Sequence, residues 1–284
     1  MPLVTLKEVL KGTRENGYAV GAFNFNSYED AQGIINGAVA KKAPVIVMAS
    51  MGAVKYIGLK TTAYMIKGMA ESVDIPVCLH LDHATDHDMI KACINAGFTS
   101  VMIDASMKSY EENIAETSSV VEYASKFGCS VEAELGKVGG KEDNVDTDEP
   151  EAAFTDPADV PRFVRETGLD ALAIAIGTVH GFYKSEPKLD FEKLAAIAKV
   201  TDVPLVLHGG TGVPVEDFKK AIKLGMSKIN VGTELKATYA KAVRESLAAK
   251  PNEIDPRKFM GAVKDRCSEV VQEKIDIFGC ANRG

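Results

Sequence analysis

The chain alternates short apolar runs with longer amphipathic ones. The runs at 19–25, 44–49, 76–81, 100–103, 129–135, 171–176, 204–207 and 228–231 are rich in Val, Ile, Leu and Ala. Most carry apolar residues at successive positions, so both of their faces are buried, as in a parallel sheet covered by helices. Between them the spacing predicts helices over 29–42, 61–72, 86–96, 111–127, 157–167, 190–200, 214–224 and 234–249. Gly97, Gly128, Gly168 and Gly225 punctuate several of these helix ends. Eight strands alternating with eight helices predict an α/β fold, the (β/α)8 TIM barrel. An open doubly wound sheet is the runner-up, and the missing G-x-G-x-x-G turn after the first strand counts against it. From Pro251 onward the chain reads as a C-terminal helical extension. No Ser/Gly/Pro-rich linker interrupts the pattern, so residues 1–284 are expected to form a single domain. The one long insertion, 137–154, is rich in Gly, Asp and Glu and reads as a mobile loop over the barrel mouth.

Barrel enzymes build their sites at the C-terminal ends of the strands. Those ends here are polar. They carry Asn24 and Asn26, Ser50, His80-Leu-Asp-His83, Asp104 and Ser106, Glu132 and Glu134, His180, His208-Gly-Gly-Thr-Gly212 and Asn230-Val-Gly-Thr233. Polar residues open loops in any barrel, so each taken alone has a plain structural explanation. The histidines are harder to explain that way. Of five in the chain, four lie at strand ends, and only His87 starts a helix. His83, His180 and His208 are placed to converge on one ion, which is the ligand set of a catalytic zinc. Three unrelated, hydrogen-bonded histidines are the alternative. His80 reads as a satisfied interior group and His87 as a solvated one. Glu132 and Glu134, two apart, point the same way and need a cation or protons between them. The glycine turns after strands 7 and 8 open helices, which suits a phosphate held by backbone N–H groups.

Composition narrows the partners. The net charge is −7, which argues against nucleic acid and against an anionic membrane surface. The five cysteines show no metal-site or disulfide spacing, and residues 1–16 lack the apolar core of a signal peptide, so a cytoplasmic setting is expected. A phosphate site in so acidic a chain needs local positive potential, which a metal and backbone amides supply.

Six ordered motifs then carry a resemblance. They are Leu79-His-Leu-Asp-His-Ala84, Ser130-Val-Glu-Ala-Glu-Leu-Gly136, Gly139-Gly-Lys-Glu-Asp143, Ala175-Ile-Gly-Thr-Val-His-Gly181, Val206-Leu-His-Gly-Gly210 and Lys228-Ile-Asn-Val231. Together they resemble the class II, metal-dependent ketose-bisphosphate aldolases, nearest the fructose and tagatose bisphosphate enzymes, from about Val4 to the end. The resemblance implies zinc held by His83, His180 and His208, with Glu134 an occasional ligand. It implies Asp82 as acid/base at the acceptor oxygen and Glu142 as the proton-transfer group at the donor carbon. Asn24, Ser50 and Asp104 match hydrogen-bonding positions. Gly181, Gly209, Gly210, Thr211, Asn230, Val231, Gly232 and Thr233 match the turns that hold the phosphate of dihydroxyacetone phosphate. Carbonyls around Val179, Gly181 and Gly209 match a monovalent-cation site for Na+ or K+. Arg257 matches an arginine that reaches the distal phosphate from a neighbouring subunit, and Lys184 is a second candidate for that anion. A homodimer or homotetramer follows as an expectation. Thr211 stands where a serine is more usual, and Gly232 where alanine or a larger residue is common.

The implied reaction cleaves a ketose 1,6-bisphosphate to dihydroxyacetone phosphate and an aldehyde such as glyceraldehyde 3-phosphate. An imine route would need a lysine at a strand end. Lys137 and Lys184 lie in loops instead. The alternatives left open are the same chemistry on a sulfonated or deoxy acceptor, a metal-dependent hydrolase, and a non-catalytic sugar-phosphate-binding subunit.

Overall fold

A computed structural model describes residues 2–142, 145–147, 153–183 and 186–284, with backbone alone at 141–142 and 145–147. The strands are β1 (Val20–Asn24), β2 (Val45–Ser50), β3 (Val77–Ala84), β4 (Ser100–Ile103), β5 (Ser130–Leu135), β6 (Gly139–Glu142), β7 (Val145–Thr147), β8 (Ala171–Ile174), β9 (Val179–His180), β10 (Leu205–Leu207) and β11 (Met226–Val231). All but β6, β7 and β9 form a closed parallel barrel in the order β1, β11, β10, β8, β5, β4, β3, β2. The eight apolar runs are these barrel strands. Their residues are buried along the whole of each strand, which is why they show no alternation.

The helices are α1 (Leu6–Val9), α2 (Thr13–Asn16), α3 (Tyr28–Ala40), α4 (Met51–Ile57), α5 (Leu59–Glu71), α6 (His87–Ala96), α7 (Tyr110–Ser125), α8 (Val160–Thr167), α9 (Phe191–Val200), α10 (Val215–Lys223), α11 (Thr233–Ala249) and α12 (Pro256–Phe278). Their starts are chemically marked. Ser27 and Ser109 each form a reciprocal capping box, with Asp30 and Glu112. Asp86 and Asp190 cap α6 and α9 through side-chain oxygens. The C-terminal extension, α12, lies along α3 at close range. A Cβ at Gly33 would sit 2.6 Å from the Cβ of Cys267, and one at Gly37 would sit 2.8 Å from the Ser268 carbonyl oxygen. Two glycines one turn apart thus let the helix backbones approach. The five cysteines are all buried thiols.

Two features depart from the sequence reading. Helices α1, α2 and α4 were not among the predicted elements, because helices of four to seven residues are too short to show a periodic apolar face. The 137–154 insertion also contains more order than a loop. Its β6 pairs antiparallel with β7 and parallel with β9, through Gly139↔Val179 and Gly140↔His180. Backbone hydrogen bonds hold this small sheet, and a Gly-Gly-Lys-Glu strand has no hydrophobic pattern to announce it.

Candidate active site

The site begins with an irregularity in β3. Leu81 pairs with Val101 of β4, but the next pair is Ala84 with Ile103, so β3 carries one extra residue there. His83 sits in this bulge with φ +45°, a left-handed conformation rare outside glycine. Strict alternation would send Asp82 and His83 to opposite faces. The bulge turns both toward the barrel mouth.

The imidazoles of His83, His180 and His208 meet there, all buried, with ligand nitrogens within 4.8 Å of one another. His83 Nδ1 lies 2.9 Å from Asp104 Oδ2, and its Nε2 lies 2.7 Å from His208 Nδ1. Burial opposes the charge on His83, yet Asp82 and the bond to Asp104 outweigh it and push its pKa up to about 10. Its second N–H then donates to His208 Nδ1. Burial holds His180 and His208 below the ordinary histidine value, and so neutral. Neither ring nitrogen of His180, itself buried, has a hydrogen-bond partner among the described residues. Two neutral imidazoles, one orphaned, facing a ring whose proton sits between nitrogens: this donor set fits a divalent cation. Asp104, Glu134 and His83 form an overlapping second group.

Asp82 stands beside this cluster. Its Oδ2 accepts from Asn24 Nδ2 at 2.8 Å, and its Oδ1 lies 3.4 Å from Asn230 Nδ2. Burial alone would raise its pKa, but the positive charge at His83 and Lys228 holds it well below the carboxylate range. Asp104 is likewise depressed against burial, by His83 and by the Ser106 hydroxyl and N–H that donate to it.

The two strand-β5 carboxylates do share a face, and each solves its charge differently. Glu132 is fully buried, with Oε1 2.9 Å from His208 Nε2 and Oε2 2.8 Å from the ammonium of Lys228. Against burial, Lys228 and then His208 bring its pKa down to about 2. Glu134 has no such cation. Burial and then Asp104 push it up to about 8, despite the Val138 N–H it accepts at 3.1 Å. His80 is an interior group, with Nδ1 2.7 Å from Ser100 Oγ, and burial first, then Lys228, lowers its pKa to about 3. His87 is only half-exposed and pairs with Glu116, which also takes Lys108.

Above the histidines a cleft is lined by Asn24, Asp82, His83 and His180, and by the two glycine turns. Gly181, Gly209, Gly210, Thr211, Asn230, Gly232 and Thr233 all reach it. Gly209 has φ +67°, and a Cβ there would lie 2.3 Å from the Val179 carbonyl oxygen. The Gly209 carbonyl accepts the Tyr183 hydroxyl at 2.8 Å, and Tyr183 in turn accepts the Val179 N–H. Thr211 Oγ1 accepts from Glu234 N in the first turn of α11, which ties the two turns together.

The remaining predicted residues sit elsewhere. Ser50 is buried level with Asp82 in the register and caps α4 through the Ala53 N–H. Val231 is buried core at the end of β11 and does not line the cleft. Arg257 projects into solvent from α12, and its guanidinium grips Asp255, the cap of the same helix. Glu142 belongs to β6, opposite Val145, and its side chain is outside the described residues, as is Lys184. Two contributors were missed: Tyr183, and Lys228, which shares the inward face with Asn230 two residues later.

Comparison with known proteins gives the family. The sequence model of "Fructose-bisphosphate aldolase class-II" matches residues 4–283. A Bacillus subtilis (strain 168) relative is 50% identical over 286 residues, covering 100% of both chains. A Staphylococcus aureus (strain Mu50) protein named fructose-bisphosphate aldolase is 49% identical, covering 100% of this chain and 99% of its own. Among solved structures, the YdjI aldolase of Escherichia coli K12 superposes with a TM-score of 0.88 at 34% identity, over 99% of each chain. The protein with this barrel and these histidines belongs to the class II fructose-bisphosphate aldolase family.

Proposed function

We propose that the chain, as one domain, is a zinc-dependent aldehyde-lyase. It reversibly cleaves a ketose 1,6-bisphosphate of the fructose or tagatose type to dihydroxyacetone phosphate and an aldehyde such as glyceraldehyde 3-phosphate. The convergence of His83, His180 and His208 at the barrel mouth carries the reading. These three rings would hold the metal, with Glu134, which groups with His83 and Asp104, as an occasional further ligand. Bound zinc supplies a Lewis acid for the ketone of the donor.

The chain's own groups do the rest. Asp82, kept ionised and held by Asn24, takes the proton of the C4 hydroxyl as the C3–C4 bond breaks. Glu142, at the end of β6, returns a proton to the donor carbon. The Gly209–Thr211 and Asn230–Thr233 turns and the start of α11 bind the donor phosphate with backbone N–H groups. Asp104 fixes the His83 ring, and Ser50 supports the wall beside Asp82. The Val179, Gly181 and Gly209 carbonyls offer a seat for Na+ or K+. Lys184, and Arg257 of a neighbouring subunit in a homodimer or homotetramer, meet the distal phosphate. The ammonium of Lys228 is engaged by Glu132, which speaks against an imine route. Buried, unpaired cysteines suit a reducing cytoplasm, and no described helix is long and apolar enough to cross a membrane.

The test is cleavage of fructose and tagatose 1,6-bisphosphates before and after dialysis against a chelator. Activity is expected to vanish with the metal and return with added zinc. Undiminished activity of metal-free protein would sink the reading.

A further inference from the structure

Inside the barrel, below the cleft, lies a charge that does not line it. Lys228 enters from β11 with no solvent exposure, in register with Val20 of β1 and Val206 of β10. Barrel interiors are normally filled by branched apolar side chains. A buried ammonium is costly there unless paired, and this one is paired to Glu132 Oε2 at 2.8 Å. The same carboxylate uses its other oxygen, Oε1, on His208 Nε2 at 2.9 Å. Lysine, glutamate and histidine therefore form one continuous line from the barrel interior to the metal-binding cluster. Among the other polar groups nearby, His80 Nε2 stays 3.8 Å from Glu132 Oε2, while its Nδ1 is held by Ser100. Lys228 is thus the close cationic contact of Glu132 on that side.

We propose that Lys228 is a positioning residue: through Glu132 it fixes the His208 ring with Nδ1 turned toward the metal. A carboxylate at Oε1 accepts the Nε2–H of His208, which leaves Nδ1 as the nitrogen with the free lone pair. An anchored carboxylate also stops the ring from rotating or swinging away. Outer partners of this kind orient the ligand and raise its basicity. The lysine adds the anchor that keeps the carboxylate in place.

The inference rests on the zinc reading above, and its test separates the two. Zinc affinity is measured by competition with a chromophoric chelator for the parent, Lys228→Met, Glu132→Gln and the double variant. Folding of each metal-free protein is followed by far-ultraviolet circular dichroism and thermal melting. Lys228→Met is expected to weaken zinc binding by about tenfold to a hundredfold. In the Glu132→Gln background the same change is expected to weaken it no further, since the lysine acts through that carboxylate. A purely structural lysine would lower the melting temperature and leave zinc affinity within twofold of the parent, which overturns the proposal. So does a loss as large in the Glu132→Gln background as in the parent. If Lys228→Met does not fold, the comparison falls to the variants without the buried anion. Glu132→Gln weaker than the parent and equal to the double variant supports the proposal. Glu132→Gln binding like the parent, or a still weaker double variant, overturns it. A parent that takes up no zinc overturns the metal reading and this one together.

Discussion

His83 shows how one residue's backbone sets the chemistry of its neighbour. Its φ of +45° belongs to the bulge that brings two consecutive side chains to one face. Asp82 gains from this a place beside the histidine cluster with two amide neighbours, Asn24 and Asn230. Asp82→Asn keeps the shape and removes the proposed base. It is expected to lower kcat by about 10²–10⁴-fold while zinc content, read by atomic absorption, stays at parent level. His80 makes a different prediction, about stability. Its folded pKa of about 3 lies under the ordinary histidine value, so between the two the unfolded chain binds the extra proton. Stability should therefore fall as pH drops from about 6.5 toward 3, by at most about 1.4 kcal/mol per pH unit from this group. Urea titrations across that range should show a shallower slope for His80→Asn. An unchanged slope would assign the acid sensitivity to other groups.

At the scale of elements, the outer sheet couples β6 and β7 to His180, one of the three clustered histidines. Gly140 on β6 pairs with His180 on β9, at φ +91°, and a Cβ there would lie 2.4 Å from the His180 carbonyl oxygen. Gly140→Ala must push the two strands apart. Because β6 lies outside the barrel, the melting temperature is expected to change little, while kcat falls by about 10- to 100-fold through a displaced site. A large melting shift with intact kcat would reverse that assignment. The barrel strands were legible because burial on both faces writes an unbroken apolar run, as in Val45–Ser50. The outer sheet was not, because its pairing uses backbone groups and its central strand is Gly-Gly-Lys-Glu. The histidine cluster was legible from histidines at strand ends, and the turns lining the cleft from their glycines. Lys228 was not given a role, because a lysine at the start of an apolar run looks like a strand leaving solvent. Its inward phase with Asn230 was the available signal. The bulge at His83 has no sequence mark at all, since it depends on the register of β3 against β4.

For the whole molecule, an overall charge of −7 surrounds a site that must receive two phosphates. In the proposed reading, backbone amides and a metal answer one of them within a single chain. The other calls for a side-chain cation, and Arg257 stands fully outside, clasped by Asp255. Being exposed, Arg257→Ala is expected to leave the melting temperature almost unchanged, within about 0.5 kcal/mol of stability. It should raise KM for a ketose bisphosphate by about 10- to 100-fold, yet leave KM for the ketose 1-phosphate alone. Equal effects on both substrates would remove Arg257 from distal-phosphate binding. The contrast is sharpest when read at several protein concentrations, because an arginine lent by a neighbour is lost on dilution.

The cysteines close the picture in practical terms. Cys78, Cys93, Cys267 and Cys280 are buried deeply enough that desolvation lifts their pKa values to about 12, and Cys129 is raised in the same way. Alkylating reagents attack the thiolate, so the native protein is a silent background for them. A cysteine written into the surface, for example at Tyr56 on α4, would then be the one reactive handle on the molecule. A dye or spin label could be attached there without stripping the chain of its own sulfur, and the motions of the barrel mouth could be followed on an otherwise unaltered protein.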